Sequence, residues 1–189
     1  MKIDIRKGKA RRVSNNLHRF LTLQLLNDKT WLAGGALRAA LNSETISDYD
    51  LFFADGYEAA RVEVELERLN AEVVFKCPQG KLTTMKLDGM KIQLITEFWY
   101  NSMDQLIDSF DITACRFATD GKVMVTRYSS IRDTYNMKIN LYRVDFPVAT
   151  MKRVAKYVEK GYMLTTKAAI KFVETVRTAD MLDDRVYID

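Results

Sequence analysis

Between Leu32 and Phe53 the chain reads LAGGALRAALNSETISDYDLFF, and no other stretch narrows the possible folds as much. Thr30 to Ala33 is a short apolar run with a β-branched start that predicts a buried strand, and Gly34-Gly35 ends it. Glycine accepts φ > 0 and lets backbone approach a ligand closely, so the pair can turn the chain and present N–H groups to an anion. Ala36 to Leu41 are good helix formers, and a helix that starts there adds the positive end of its dipole to those amides. Arg38 falls in the first turn, where a planar guanidinium can hold two phosphate oxygens. After the polar loop 42–47, Asp48 to Phe53 reads as a second strand. Asp48 and Asp50 then leave one face, while Tyr49, Leu51 and Phe53 enter a core from the other. Two carboxylates at that spacing can share a Mg²⁺ whose shell is completed by water and substrate phosphates. A phosphate-binding turn and a metal-binding pair within one strand–helix–strand unit predict chemistry on a nucleoside triphosphate.

Composition removes other classes. With 189 residues, 48% of them hydrophobic, the chain can build one sizeable core, and two prolines and 11% aromatics argue against disorder. No apolar stretch approaches the ~20 residues of a membrane span, and the charged opening MKIDIRKGKARR is not a secretory signal, so a cytoplasmic location without membrane partners is expected. Cys77 and Cys115 are too few for a disulfide framework or zinc site, and the single histidine, His18, removes most histidine-based triads. The net charge of +4 is modest. Its distribution is uneven: residues 1–12 carry six basic side chains against Asp4, and 152–171 carry Lys152, Arg153, Lys156, Lys160, Lys167 and Lys171 against Glu159. Each cluster reads either as a solvated face or as contacts to a polynucleotide backbone.

Periodicity predicts an α/β order. Residues 13–27 have helical spacing; Tyr57 to Leu69 is an amphipathic helix; Ala71 to Cys77 alternates as a strand. Asp88-Gly89 joins strands 81–87 and 90–98 as a hairpin, and Asn101 or Ser102 caps a short helix that ends at Phe110. Ile112 to Thr119 and Lys122 to Thr126 form a second hairpin around Asp120-Gly121, and Ser129 to Tyr135 is a turn of helix. Pro147 starts a helix over 148–159, and another spans 165–178. A boundary at Phe146-Pro147 gives two units, 1–146 with a helical lead-in over 1–28, and a helical tail 147–189. Phe98, Trp99 and Tyr100 are expected to pack in the core and at its rim.

The order Gly34-Gly35, twelve residues, Asp48-Tyr49-Asp50-Leu51 resembles the signature of nucleotidyltransferases related to DNA polymerase beta. Gly34-Gly35-Ala36-Leu37-Arg38 is similar to the opening motif of the bacterial-type CCA-adding tRNA nucleotidyltransferases and poly(A) polymerases. Asp111-Ile-Thr-Ala-Cys-Arg-Phe-Ala and the helix Met151 to Tyr157, followed by Gly161-Tyr162, are similar to two later motifs of that branch. Small stand-alone proteins of this kind in bacteriophages are also similar. The resemblance implies a mixed α/β (α+β) sheet flanked by helices with a small C-terminal helical segment. It implies Mg²⁺-dependent transfer of a nucleoside monophosphate, from ATP or CTP, to an acceptor hydroxyl such as a tRNA-like 3′ end. Asp48 and Asp50 would be catalytic and metal-binding; Gly34, Gly35, Arg38, Asp111, Arg153 and Lys156 would bind nucleotide. The chain departs from the pattern in three places. The paired arginines before the Asp are Ser109 and Phe110, the base-templating Arg aligns with Thr150, and the third carboxylate aligns with Gln93, so that either Glu97 or Asp111 substitutes or the third acid is absent. A nucleotide- or RNA-binding regulator without catalysis, and an enzyme that nucleotidylates protein, are the competing expectations.

Overall fold

The computed structural model describes residues 1–178, apart from the side chain of Lys9. The strand–turn–helix–strand unit forms as its sequence dictates: β2 is Thr30–Ala33, α3 is Gly35–Asn42 and β3 is Tyr49–Phe53. Upstream lie β1 (Lys2–Asp4), α1 (Arg11–Asn16) and α2 (His18–Leu21). Downstream follow α4 (Gly56–Arg68), β4 (Glu72–Lys76), β5 (Leu82–Leu87), β6 (Met90–Ile95), α5 (Met103–Asp108), β7 (Phe117–Thr119), β8 (Val123–Thr126) and α6 (Tyr128–Tyr135). The described chain closes with β9 (Lys138–Ile139), α7 (Pro147–Glu159), β10 (Met163–Leu164) and α8 (Thr166–Thr178).

Eight strands form one mixed sheet in the order β1-β8-β7-β2-β3-β6-β5-β4. The β3–β6 pair is parallel and the other neighbours are antiparallel. Alternation along β3 divides the molecule. Tyr49, Leu51 and Phe53 face a core shared with Leu17 and Phe20, with Leu37 of α3 and with Val62 and Leu66 of α4. Asp50 and Phe52 face the other side, where Leu106 and Ile107 of α5 pack on Trp31, Ala33 and Ala118 over only part of the sheet. The uncovered remainder of that face, beside Asp50, is the floor of a cleft. A third cluster, with Ile112, Ile139, Val154, Tyr157 and Tyr162 among its members, fixes α7 as the cleft's wall. A short parallel pairing of β10 with β9 ties the tail to the body.

Local chemistry explains most boundaries. Asp55 caps α4 by accepting from Glu58 N–H, Ser102 caps α5 by accepting from Gln105 N–H, and Thr165 accepts from Ala168 N–H at the start of α8. The Asp88-Gly89 hairpin has φ of +49° and +80°, the primed turn that matches strand twist.

Several expectations change, and the strand over 90–98 ends at Ile95. The helix over 13–27 is instead two short helices that end at Leu21, because Gln24 turns with φ +53° and buries Leu25. Ile112 to Arg116 is not strand. Thr113–Cys115 is a 3-10 turn held by Thr113 N–H to Asn140 O and Thr113 Oγ1 to Asp133 Oδ2, so the second hairpin begins only at Phe117. The N-terminus supplies an unforeseen strand, β1, on the edge of the sheet opposite β4. Residues 179–189 of the expected tail lie outside the described residues. No helix among the described residues is long and apolar enough to cross a membrane.

Candidate active site

Gly34 leaves β2 with φ +79° and ψ −131°, a conformation that side-chain-bearing residues rarely adopt. Its N–H donates to Phe117 O (3.0 Å), which pins the turn to β7. A Cβ on Gly34 would lie 3.6 Å from the Phe110 ring and 4.0 Å from Asp50 Oδ2, and one on Gly35 would lie 3.6 Å from the Tyr157 hydroxyl. The diglycine bend therefore sits directly against the carboxylate that the sequence pairs it with. Ala33 and Asp50 are register partners on adjacent strands, which is why the two motifs meet.

Asp48, Asp50, Gly34, Gly35, Arg38, Asp111, Arg153 and Lys156 all line one cavity of about 840 Å³. All of the expected site residues are thus brought together. Burial, reinforced by the neighbouring Asp48 charge, raises the Asp50 carboxyl from 3.8 to about 7. Lys156, Lys91 and Arg153 oppose that rise. A carboxylate pair that repels itself at the floor of a cleft is a fitting seat for a divalent cation. The donor set fits Mg²⁺ as well: it needs only one or two protein carboxylates when substrate phosphates supply the rest.

The remaining residues take distinct positions. Gln93, buried, is the direct register partner of Asp50, at the place where the resemblance implies a third acid. Glu97 is held by Lys81 at 3.0 Å. Asp111 accepts from Thr150 Oγ1 (2.9 Å), Arg153 Nη1 (2.7 Å) and Ile112 N–H (2.7 Å). Among the described residues, no group of three or more His, Cys, Asp or Glu side chains is placed to hold a metal. Arg38 is 1% exposed. Its guanidinium packs beside the Tyr157 and Tyr162 rings (5.2 and 5.3 Å from their centroids) and donates to Glu44 and to Tyr162 Oη. Its Nε has no hydrogen-bond partner among the described residues. Cys115 also lines the cleft, but burial pushes its thiol up to about 11, so it is no nucleophile near neutral pH.

Two features escaped the sequence reading of the site. Lys160 joins the wall one turn beyond Lys156, and burial, with the Arg38 and Lys156 charges, pulls its ammonium below the usual range. The spacing 153, 156, 160 on one helix face was the available signal. At the opposite end, Phe98 and Trp99 line the cleft and are 43% and 45% exposed, whereas Tyr100 is buried as expected. The cleft is polarised along β3. Lysines and the diglycine bend, with Phe110 and Tyr157 against it, lie at the Asp48 end; the exposed rings Phe98 and Trp99 lie at the Phe53 end, where Tyr100 N–H donates to Phe53 O (3.1 Å).

A model of the family described as "Gabija anti-defense 2 family protein" matches residues 7–136. A protein of Bacillus phage SPbetaL7 described as "Gabija anti-defense 2" is 25% identical over 188 residues, covering 91% of this chain and 46% of that protein. Among solved structures, the Thermotoga maritima CCA-adding enzyme complexed with tRNA superposes with a TM-score of 0.71 at 15% identity, over 94% of this chain and 46% of that one. A CCA-adding enzyme in complex with ATP gives 0.71 at 15% identity, with 94% and 47% coverage. The CTP complex gives 0.71 at 14%, with 94% and 46%. The chain spans a little under half the length of these relatives. The structural likeness establishes a nucleotidyltransferase-type fold.

Proposed function

The chain belongs to the Gabija anti-defense 2 family, and from that premise we propose that it is a Mg²⁺-dependent nucleotidyltransferase whose reaction serves the counter-defence role its family is described by. It would move a nucleoside monophosphate from a nucleoside triphosphate to an acceptor hydroxyl and release pyrophosphate. The observation that carries this reading is Asp50 set against the Gly34–Gly35 bend, with Asp48 lining the same cleft.

Asp48 and Asp50 would hold the metal, which when bound neutralises charge on the phosphates and acidifies an attacking hydroxyl. The first-turn amides of α3 and the Lys156 and Lys160 ammonium groups receive the triphosphate. Arg38 supports that wall from behind, since its Nη1 already serves Glu44 and Tyr162. Thr150 and Arg153 both donate to Asp111 and set the spacing between the body and α7. No covalent intermediate is required: the chain's residues position the reactants and stabilise charge. The solved relatives named with ATP, CTP and tRNA make a nucleotide donor and an RNA acceptor the first combination to examine.

Gln93 favours a second reading, capture of nucleotide or RNA without transfer, because an amide there cannot act as a base beside Asp50. One panel separates the readings. α-Labelled ATP, CTP, GTP and UTP with Mg²⁺ are offered tRNA, oligonucleotides and host lysate. Label in RNA or in protein that disappears in Asp48→Ala/Asp50→Ala supports transfer and identifies the acceptor. Binding with no label in any fraction supports capture.

A further inference from the structure

The aromatic end of the cleft contains several polar side chains, and each already makes at least one bond within the protein. Gln105 Oε1 accepts from Asn101 N–H at 2.7 Å, and Glu97 is held by Lys81 at 3.0 Å. Arg143 pairs with Asp145 and donates to Asp108 O, and Ser109 Oγ donates to Leu106 O at 2.7 Å. Deeper in, Thr150 and Arg153, on the helix that faces the nucleotide, both donate to Asp111 Oδ2. What this end offers instead is ring surface. Trp99 and Phe98 keep nearly half of their area open, and the edge of the Trp99 ring rests 3.8 Å from where a Cβ of Gly56 would stand.

Resting on the nucleotide-binding reading above, we infer that the base of the bound nucleotide is held by stacking on Trp99 and Phe98 rather than by hydrogen bonds to its edge, so that the site accepts all four bases. Geometry gives the direction: phosphates at the lysine end by Asp48, sugar past Asp50 and Phe52, base at the aromatic end of β3. Stacking tolerates any base because every base has a π-face, and purines, with more ring area, gain most. A site that reads a base edge discriminates steeply, because a wrong base leaves buried polar groups unpaired. Here each of those groups already holds at least one bond within the protein, which fixes its side chain before the nucleotide arrives.

Trp99 supplies its own reporter, because the other tryptophan, Trp31, is 2% exposed in the core. The full chain is titrated, with Mg²⁺, with analogues of ATP, GTP, CTP and UTP whose α–β bridge cannot be cleaved, and separately with tripolyphosphate. Tryptophan emission and calorimetric heat are recorded together. The expected result is a saturable change in emission with all four analogues, dissociation constants within about tenfold of one another, and purines tighter. Tripolyphosphate should give heat without that change. Trp99→Leu should weaken every analogue by about tenfold (one stacked base) and leave tripolyphosphate unaffected, and Trp99→Phe should recover most of the loss. Binding heat with silent emission, a preference above a hundredfold for one base, or equal losses for tripolyphosphate and nucleotide in Trp99→Leu each overturn the inference. So does an absence of binding. Labelled transfer reports separately on catalysis, so an inactive chain that still shows the four-base response retains the stacking seat and loses only the enzymatic reading.

Discussion

Asp50 carries opposite obligations with and without a cation. Burial and the Asp48 charge lift its carboxyl from 3.8 to about 7, so the folded chain holds this proton more tightly than the unfolded chain does. Its contribution therefore favours the fold at low pH and is lost as pH rises from about 4 to about 7, at a slope of up to about 1.4 kcal/mol per unit. Asp50→Asn keeps the shape and removes the charge. Thermal melts without metal from pH 4.5 to 8 should show the variant matching the wild type at the acid end and melting above it at pH 8; parallel curves would contradict this. Adding Mg²⁺ at pH 8 should raise the melting temperature of the wild type and not of the variant. Gly34→Ala meets a different obstacle, since φ +79° and ψ −131° strain any L side chain and the new methyl approaches Phe110 and Asp50. A loss of about 1–3 kcal/mol in urea unfolding is expected, with nucleotide binding weakened further. These positions were legible from spacing: alternation along β3 turns Asp50 away from the core, Asp48 just before the strand lines the same cleft, and the diglycine ends β2. Arg38 was not legible in the same way. Its place in the first turn of α3 was clear, but Tyr157 and Tyr162, which enclose it, arrive more than a hundred residues later.

Elements with local signals formed where their residues require. The Asp88-Gly89 hairpin, the Asp55 and Ser102 caps and the Pro147 start of α7 all depend on neighbours within a few residues. The misread elements depend on distant partners. β1 exists because β8 offers an edge, and the Thr113 turn exists because Asp133 and Asn140 accept its hydrogens. β4 shows the converse case: it alternates as a strand should, yet all five of its residues are exposed at the sheet edge. The tail, α7 through α8, is held by one such distant arrangement. Tyr162 Oη accepts from Arg38 Nη1 and from Asn42 Nδ2, each at 3.2 Å. Tyr162→Phe keeps the ring over the guanidinium and removes that oxygen. It should cost about 1.5–3 kcal/mol in urea unfolding, the range for a bond to a charged donor, whereas an unchanged midpoint would mean that the tail does not lean on Arg38.

At the scale of the molecule, eight strands and their covering helices serve to leave one side of the sheet open beside Asp50 and to stand α7 opposite it. The sequence reading divides the chain at Phe146-Pro147, and we propose that 147–178 is a tail packed on the body rather than an independent unit, since its apolar side chains share a core with Ile112 and Ile139. The basic residues at the two ends separate in space: Lys2 lies on edge strand β1 and Arg12 donates to Ser43 Oγ at the end of α3, while Arg153, Lys156 and Lys160 line the cleft. The account as a whole rests on a metal–nucleotide complex seated between the carboxylate pair and the diglycine bend. Calorimetric titration of a non-cleavable nucleoside triphosphate analogue into the wild type and into Asp48→Asn/Asp50→Asn, with and without Mg²⁺, tests that claim most directly. The prediction is tight one-to-one binding only for the wild type with Mg²⁺; equal binding by the double variant, or by the wild type after chelation, would contradict it.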